Sequence, residues 1–187
     1  MLQFCCNIIF YFKYFPLALR IATIFCLFKG GDLCDWDPGS WRGISSVHQF
    51  ASFLENLIFR RMRSICNSSI SNYQAGGRAK CGATQQLLRL FEHIQCLTNA
   101  SKPTRKGEGF ANHVVLALLD ASKAFDRIFR PLLFAKLREM GITGRLFSVL
   151  VSYFAGRYQR VNVEDAYSEF VETIHGGPQG SVIVLFC

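Results

Sequence analysis

The chain has 187 residues, of which 50% are hydrophobic and 18% are charged. This balance excludes a disordered chain, which is poor in apolar residues, and it predicts a folded protein of one domain or slightly more. The 21 lysines and arginines outnumber the 13 aspartates and glutamates, and the formal net charge of +8 makes a polyanion an electrostatically compatible partner.

The first 28 residues are strongly apolar, which raises the question of a membrane segment. Lys13, Pro16 and Arg20 interrupt this run, and no stretch reaches the roughly 18 uninterrupted apolar residues of a membrane-spanning helix. No small-residue cleavage site of a signal peptide follows cleanly. We therefore expect no stable membrane partner, and a small protein tethered to a membrane through residues 1–28 remains the alternative.

The next part of the chain is predicted to contain helices separated by polar loops. Residues 30–39 are rich in Gly and Asp and predict a loop with several turns. Apolar residues at helical spacing predict one helix over residues 47–62 and a second over 83–97. The segment 67–82 is rich in Ser, Asn and Gly, and the polar linker 101–109 marks an expected domain boundary.

The last part of the chain is predicted to alternate strands with helices. The continuous apolar run Val114–Leu119 predicts a strand that is buried on both faces of a sheet. Helices near 131–140 and 144–155 and strands near 158–163 and 170–174 are predicted to follow.

Proline and glycine mark the ends of these elements. Pro131 suits the first turn of a helix, and Gly141 suits the cap at its C-terminal end. Pro178-Gln179-Gly180 predicts a turn. Strands separated by helices, together with hairpins, indicate an α+β fold.

The eight cysteines, at positions 5, 6, 26, 34, 66, 81, 96 and 187, form no C-x-x-C pair. His93 and Cys96 come at the spacing of metal ligands, but no second pair accompanies them, so we do not expect a zinc site. The scatter is typical of reduced, mostly buried thiols, which predicts a cytoplasmic or nuclear protein.

The positive charge is concentrated in the first part of the chain. Residues 1–110 carry 13 basic and 6 acidic side chains, whereas residues 111–187 carry 8 and 7. A nucleic acid lying against the first part would explain this asymmetry. A basic surface without such a partner is the alternative that charge alone leaves open.

Asp120 is the residue most suggestive of chemistry. It directly follows the apolar run Val114–Leu119, and a carboxylate in that position costs free energy unless it is solvated, paired or bound to a cation. Mg²⁺ is bound in proteins by one or two rigid carboxylates together with substrate phosphates. The alternative is that Asp120 caps a following helix.

The neighbours of Asp120 carry a family resemblance. Residues 118–126 read Leu-Leu-Asp-Ala-Ser-Lys-Ala-Phe-Asp. This stretch resembles the first palm motif of reverse transcriptases, which has an apolar pair and Asp followed by Ala-Phe-Asp. The resemblance implies that Asp120 binds the catalytic metal ions. It also implies that Phe125 packs beneath the sugar of the incoming nucleotide and excludes a 2′-hydroxyl.

The same resemblance gives expectations for the residues beside Phe125. The backbone amides near Lys123 and Ala124 would face the triphosphate. Asp126 is expected to be structural, either as a cap or as a paired surface carboxylate.

A second motif, residues 177–181, resembles the family's Pro-Gln-Gly-Ser loop. Proline stiffens a turn, and glycine lets a base pair approach the backbone closely. The Gln179 amide both donates and accepts hydrogen bonds, so the resemblance places Gln179 and Gly180 beside the nucleotide. Alone, such a tripeptide is a generic turn, but its position about 60 residues after Asp120 makes it specific.

Three weaker matches lie upstream and each contains a cation. They are Lys-Gly-Gly-Asp at 29–32, Trp-Arg-Gly-Ile-Ser at 41–45 and Gln-Ala-Gly-Gly-Arg at 74–78. By resemblance, Lys29, Arg42 and Arg78 would contact the triphosphate or the template. Arginine suits phosphate because its planar fork matches the oxygens, although each of these residues alone would pass for a solvated surface cation.

The wording of the motifs is similar to that of non-LTR, LINE-like retrotransposons. The resemblance implies a partial right-hand polymerase, with an apolar extension at 1–15, helical fingers at 16–110 and an incomplete palm sheet at 111–187. It implies an RNA template, a DNA primer and deoxynucleotides as partners and Mg²⁺ as cofactor. The oligomeric state is left open.

The sequence also departs from the family pattern. No Asp-Asp pair occurs in the 187 residues, although the two-metal mechanism needs one after the Gln179 loop. Gly43, Gly77 and Gly177 stand where the family has Pro, Phe and Val, and Val184 stands where it has Gly. We therefore expect a reverse transcriptase by descent that is inactive as this chain and binds Mg²⁺ weakly. A non-catalytic nucleic-acid-binding remnant is the alternative.

Overall fold

A computed structural model of the chain describes residues 2–78, 81–99, 114–121, 123–164 and 166–186. These residues form an α+β fold, which confirms the predicted class. The described α-helices are α1 (Leu2–Phe12), α2 (Gln49–Cys66), α3 (Ala83–Asn99), α4 (Arg130–Glu139), α5 (Gly144–Phe154) and α6 (Val182–Phe186). The chain divides into two compact units, Met1–Ile70 with Lys123–Cys187 and Ser71–Ser122.

A mixed sheet organises the larger unit. Its strands are β1 (Ile21–Phe28), β2 (Trp41–Val47), β3 (Arg157–Val163), β4 (Ala166–Tyr167) and β5 (Val171–Thr173). The order is β2-β1-β3-β4, and β5 also pairs with β3. Because β1 runs antiparallel to β2 and parallel to β3, residues from the first and last parts of the sequence share one sheet.

Helices α2 and α5 supply the central core of the larger unit. The apolar stripe of α2 is fully buried at Leu54, Ile58 and Met62, as its helical spacing requires. In α5, Tyr153 and Phe154 are likewise fully buried. Each such side chain contributes about 1.5–3 kcal/mol through burial, so this helix pair fixes the sheet and loops around it.

The predicted helices and hairpin strands are confirmed, with ends that differ by a few residues. Pro131 lies in the first turn of α4. Gly141, after the helix, has φ of 91°, the left-handed conformation that its capping position requires. The turn at 178–180 is closed by a 3.1 Å hydrogen bond from the Ser181 amide to the Pro178 carbonyl.

Three elements near the N-terminus were not predicted, namely α1, β1 and β2. The first 28 residues are apolar almost throughout, so their pattern shows neither a helical period nor an alternating one. In the structure, this stretch divides into α1 and β1, because β1 finds hydrogen-bond partners on both sides in β2 and β3. Such partners cannot be read from a local pattern.

The predicted buried strand Val114–Leu119 is wrong. The structure gives these residues no regular secondary structure, and Val115, Leu118 and Leu119 are 90%, 84% and 97% exposed. A strand is buried on both faces only when other strands pair with it, and no described strand pairs with residues 114–120. Asp120 is exposed, and none of the described residues from 114 to 129 belongs to a helix.

The cysteines are less buried than predicted. Of the described thiols, all free, Cys6 and Cys66 are buried, whereas Cys34 and Cys96 are exposed. Burial raises the pKa of Cys6 and of Cys66. Among the described helices, none is long and apolar enough to cross a membrane.

Candidate functional site

The Ala-Phe-Asp segment and the Pro-Gln-Gly-Ser loop meet in the larger unit. The Gly177 amide donates to the Phe125 carbonyl at 3.2 Å, and the Gly176 amide donates to the Ile128 carbonyl at 3.0 Å. A Cβ on Gly176, whose φ is 67°, would lie 2.6 Å from the Phe125 carbonyl oxygen. Glycine is therefore required at position 176 for the two backbones to approach this closely.

The side chains of the two motifs also touch. The Gln179 amide nitrogen donates to Asp126 Oδ1 at 3.0 Å and to Oδ2 at 3.1 Å. Asp126 thus has the paired role expected of it. The Gln179 amide nitrogen is held by this carboxylate, which orients the side chain toward the turn of residues 123–127.

Arg130, in the first turn of α4, holds the start of the loop. Its Nε donates to the Gly176 carbonyl at 3.1 Å, and its terminal nitrogen donates to the His175 carbonyl at 3.3 Å. Burial lowers the pKa of Arg130, and the nearby Arg157 lowers it further, whereas Glu172 raises it. This cation fixes the loop through two carbonyl oxygens.

The far side of the loop is anchored to β2 and to the helical core. The Ser45 amide of β2 donates to the Gln179 carbonyl at 3.2 Å, so the loop covers the outer edge of that strand. The Ile183 amide donates to Ser181 Oγ at 3.2 Å, which caps the start of α6.

A buried polar network lies beneath the loop. The Tyr153 hydroxyl is 2.7 Å from Glu55 Oε1 and 3.0 Å from Ser181 Oγ. A carboxylate only accepts, so the single phenol proton goes to Glu55 and the hydroxyl accepts from Ser181. Burial raises the pKa of Tyr153 well above its ordinary value, with Arg157 opposing and Glu55 adding to the shift. The network joins α2, α5 and the loop.

The sequence analysis did not single out Glu55 or Tyr153, although the position of Glu55 on an apolar helix face could have indicated a buried polar contact. Glu55 lies on the stripe of α2 that carries Ala51, Leu54 and Ile58, all buried, and is itself only 3% exposed. A charged residue on the apolar stripe of a helix is destabilising unless it is paired. Tyr153 left no such signal, because an aromatic residue on an apolar helix is ordinary core.

The predicted residues of the first palm motif do not all lie in the same unit of the structure. Lys123 has φ of 54°, and its carbonyl accepts from the Asp126 and Arg127 amides at 3.1 Å each, so residues 123–127 form a tight turn that includes Ala124. Phe125 is 38% exposed. The structure thus brings the Phe125 segment to Gln179, whereas Asp120 belongs to the smaller unit.

The three upstream cations also fall in different places. Lys29 lies where β1 enters the turn before β2, and its ammonium group donates to the Gly39 carbonyl. Arg42 is exposed on β2, opposite Leu27. Arg78 belongs to the smaller unit, where its guanidinium donates to the Ser71 carbonyl at 3.1 Å. The structure contains no phosphate, so the predicted contacts of Lys29, Arg42 and Arg78 with phosphate stay predictions.

The described residues do not fit a two-metal centre. Nowhere in the described ranges do three or more His, Cys, Asp or Glu side chains gather so that they could hold an ion. Asp120 is exposed on a segment without regular secondary structure, and no second carboxylate joins it in such a cluster among the described residues.

Comparison with known proteins identifies relatives. The chain is 29% identical over 174 residues to the RNA-directed DNA polymerase from mobile element jockey of Drosophila melanogaster, a match that covers 91% of this chain. It is 30% identical over 174 residues to the jockey polymerase of Drosophila funebris. It is 26% identical over 171 residues to a 115 kDa protein in the type-1 retrotransposable element R1DM of Drosophila melanogaster.

These matches cover almost the whole chain but little of the relatives. The chain spans 18% of the length of each jockey polymerase and 15% of the R1DM protein. No family model matches the chain. Over about 90% of its length, this chain is thus a homologue of one segment of the proteins of non-LTR, LINE-like retrotransposons.

Proposed function

We propose that the chain is a segment of an RNA-directed DNA polymerase that provides the nucleotide side of the active site. The observation that carries this is the junction of the Phe125 turn with the Gln179 loop, where glycine and glutamine contacts fix the two motifs together. The named activity of the jockey relatives supports the reaction class. RNA template, DNA primer and deoxynucleotides are the proposed partners.

The finer description of the fold belongs to the same proposal. Residues 16–110 would form helical fingers, and residues 111–187 would form part of a palm, after an apolar extension at 1–15. Strand β1 belongs to the first of these regions and β3 to the second. Their parallel pairing supports the proposal that both regions contribute to one sheet. We propose a cytoplasmic or nuclear location, where the free thiols of the described residues would stay reduced.

We further propose that the 187-residue chain does not extend a primer on its own. Asp120 is the only carboxylate that resemblance assigns to the metals, and it lies on an exposed irregular segment. Mg²⁺, when bound, would neutralise charge on the triphosphate, but one exposed carboxylate should bind it weakly. The role of the chain's own residues is then to bind and orient nucleic acid.

Primer extension on the 187-residue chain tests this proposal. With RNA template, DNA primer, deoxynucleotides and Mg²⁺, we expect no extension. Mg²⁺-dependent extension that Asp120→Asn abolishes would show that the chain is a complete enzyme and that the proposal of inactivity is wrong.

Binding tests the part of the proposal that concerns the site. We expect the chain to bind a primer–template duplex at low salt, with an affinity that falls steeply as salt rises because cations on the protein replace counterions. Asp120→Asn should leave this binding unchanged. If no nucleic acid binds at low salt, the chain does not carry the proposed site.

A non-catalytic nucleic-acid-binding remnant is the second candidate, favoured by the net charge of +8. It predicts binding that does not depend on the Gln179 loop. Gln179→Ala separates the two candidates, because only the first expects this change to weaken the binding of a deoxynucleotide to the primer–template complex.

A further inference from the structure

Two buried arginines lie together at the end of α5 in the larger unit. Arg20 directly precedes β1 and Arg157 begins β3, and the two residues are only 5% and 3% exposed. Arg20 Nη1 donates to the Ala155 carbonyl at 2.8 Å. Arg157 Nη1 donates to the Tyr153 carbonyl at 3.2 Å. Both guanidinium groups therefore bind the carbonyl end of one helix, where the helix dipole offsets part of their charge.

These contacts leave each guanidinium group with an unused donor. The Nη2 nitrogens of Arg20 and Arg157 are buried without a hydrogen-bond partner, and within the described ranges no other buried side-chain nitrogen or oxygen lacks one. A buried donor without an acceptor is destabilising, and the cost is larger when the group is charged. The two nitrogens thus need acceptors that the described residues do not supply.

The charges near the pair are mostly positive. Burial lowers the pKa of Arg20, Tyr14 raises it and Arg157 lowers it again, and no described carboxylate is among the groups that act on it. Burial and then Arg157 lower the pKa of Arg130, which the exposed Glu172 raises. Three cations with one exposed carboxylate nearby favour the binding of an anion.

A small cavity borders Arg157 between the sheet and the start of the Gln179 loop. Its volume is about 10 Å³, which is room for one particle near the size of a water molecule. The residues that line it include Arg157, Ser45, Gln159 and Thr173, whose side chains all carry hydrogen-bond donors, and none of the described lining residues is an aspartate or glutamate. The size excludes a phosphate, a sulfate or a nucleotide, and the lining does not suit a cation.

We propose that this cavity is a site for one monatomic anion of the chloride class, held by the free Nη2 of Arg157 and by neighbouring hydroxyl donors, with Arg20 adding positive charge beside it. An anion supplies both the acceptor and the negative charge that the arginine pair lacks, whereas a water molecule supplies only the acceptor. The site joins β3 and β5 to the start of the Gln179 loop, so the anion stabilises the packing of this loop. The site is independent of the proposed function, because it needs no nucleic acid.

Thermal melts of the full chain test the site. Sodium chloride replaces sodium gluconate at constant ionic strength, so screening stays constant while the size of the anion changes. Gluconate is too large for the cavity. We expect Tm to rise by about 3–6 °C when chloride exceeds its Kd by about tenfold, because the anion binds only the folded chain.

Arg157→Met should abolish this chloride response, meaning the difference in Tm between the two salts, because it removes the charged donor at the cavity. Arg60→Met is the matched control, since it removes the same charge from an exposed position on α2 and should keep the response. The response is compared rather than Tm itself, because Arg157→Met also loses the contact with the Tyr153 carbonyl.

Thr173→Val is the second variant in case Arg157→Met does not fold. It keeps the shape of the side chain on β5 and removes one donor from the cavity, so chloride affinity should fall by about three- to tenfold. Thr143→Val is its control, at an exposed position before α5 where the hydroxyl caps no amide, and it should leave the affinity unchanged.

The anion site is wrong if the parent chain has the same Tm in chloride and in gluconate, or if Arg157→Met keeps the full response. Loss of the response in Arg60→Met as well would show that chloride acts through net charge, which also overturns the site. If Arg157→Met does not fold, unchanged chloride affinity in Thr173→Val decides against the proposal. None of these outcomes bears on nucleic-acid binding, so the proposed function is tested separately.

Discussion

The amide nitrogen of Gln179 donates to both carboxylate oxygens of Asp126, at 3.0 and 3.1 Å, across 53 positions of sequence. This contact joins the two motifs that the resemblance assigned to one active site. Both side chains are at least partly open to solvent, so the contact orients Gln179 more than it stabilises the fold.

The coupling between these two residues should be small but measurable. A double-mutant cycle of Asp126→Ala and Gln179→Ala, followed by urea denaturation, should give a coupling energy of about 0.5–1 kcal/mol. Asp32→Ala, in the exposed loop after β1, is the control and should not couple with Gln179. A coupling energy of zero would mean that the hydrogen bond does not persist in solution.

A second feature of the loop is the close packing of Val184 against Gly177. A Cβ on Gly177 would lie 2.5 Å from Val184 Cγ2 and 3.2 Å from Phe154 Cε1. The family that this chain resembles has valine at position 177 and glycine at position 184. In this chain the sizes are exchanged, and Val184 occupies the space that a side chain at 177 would need.

If the two residues have exchanged sizes, the stability lost through a larger side chain at position 177 should be partly restored by a smaller one at position 184. Gly177→Val alone should lower the free energy of unfolding by about 1–3 kcal/mol, because the added side chain overpacks against Val184. The double variant with Val184→Gly should regain part of that loss, although glycine in α6 itself costs about 1 kcal/mol. Gly82→Val is the control, since no atom lies within 4 Å of a Cβ placed there. Additive losses in the double variant would contradict the exchange.

The sequence predicted the elements of this fold wherever one local pattern dominated. Helix α2 and the turn at 178–180 follow from helical spacing and from Pro-Gln-Gly chemistry. The apolar runs at 21–28 and 114–119 look alike in sequence, yet the first is β1 and the second is irregular. The difference is the presence of pairing strands, which is a property of distant sequence.

The candidate site likewise has one part that the sequence predicts and another that it does not. The turn at 178–180 was predicted from its proline and glycine, whereas the close approach of Gly176 to the Phe125 carbonyl was not. The side chains that support the loop could not be predicted, since Arg130 and Tyr153 contact it from α4 and α5 and Glu55 holds Tyr153 from α2. Only the placement of Glu55 on a buried stripe hinted that such support exists.

The thiols offer a test of the described burial. Cys34 and Cys96 are exposed and should react rapidly with iodoacetamide near neutral pH. Cys6 and Cys66 should react slowly, because both are buried and burial raises the pKa of each thiol, which lowers the thiolate fraction. Peptide mapping by mass spectrometry after timed alkylation gives each rate. Labelling of Cys66 as fast as Cys34 would contradict the packing of α2, and all four thiols should react equally in urea.

Tyr153 predicts how stability depends on high pH. Burial raises the pKa of its phenol in the folded chain, whereas in the unfolded chain the value is about 10. The folded state therefore keeps a proton that the unfolded state loses, so the contribution of Tyr153 is fully present below about pH 10 and falls as pH rises above it.

Tyr153→Phe isolates this contribution. Near pH 7 it should cost about 1–3 kcal/mol, because Glu55 and Ser181 lose their shared partner inside the core. At pH 11 the difference from the parent chain should shrink by about 1 kcal/mol. Urea denaturation at several pH values measures both, and Tyr167→Phe, at an exposed site on β4, should show neither effect. A difference that stays constant with pH would mean that the Tyr153 hydroxyl is solvated, and the network beneath the Gln179 loop would then not be closed.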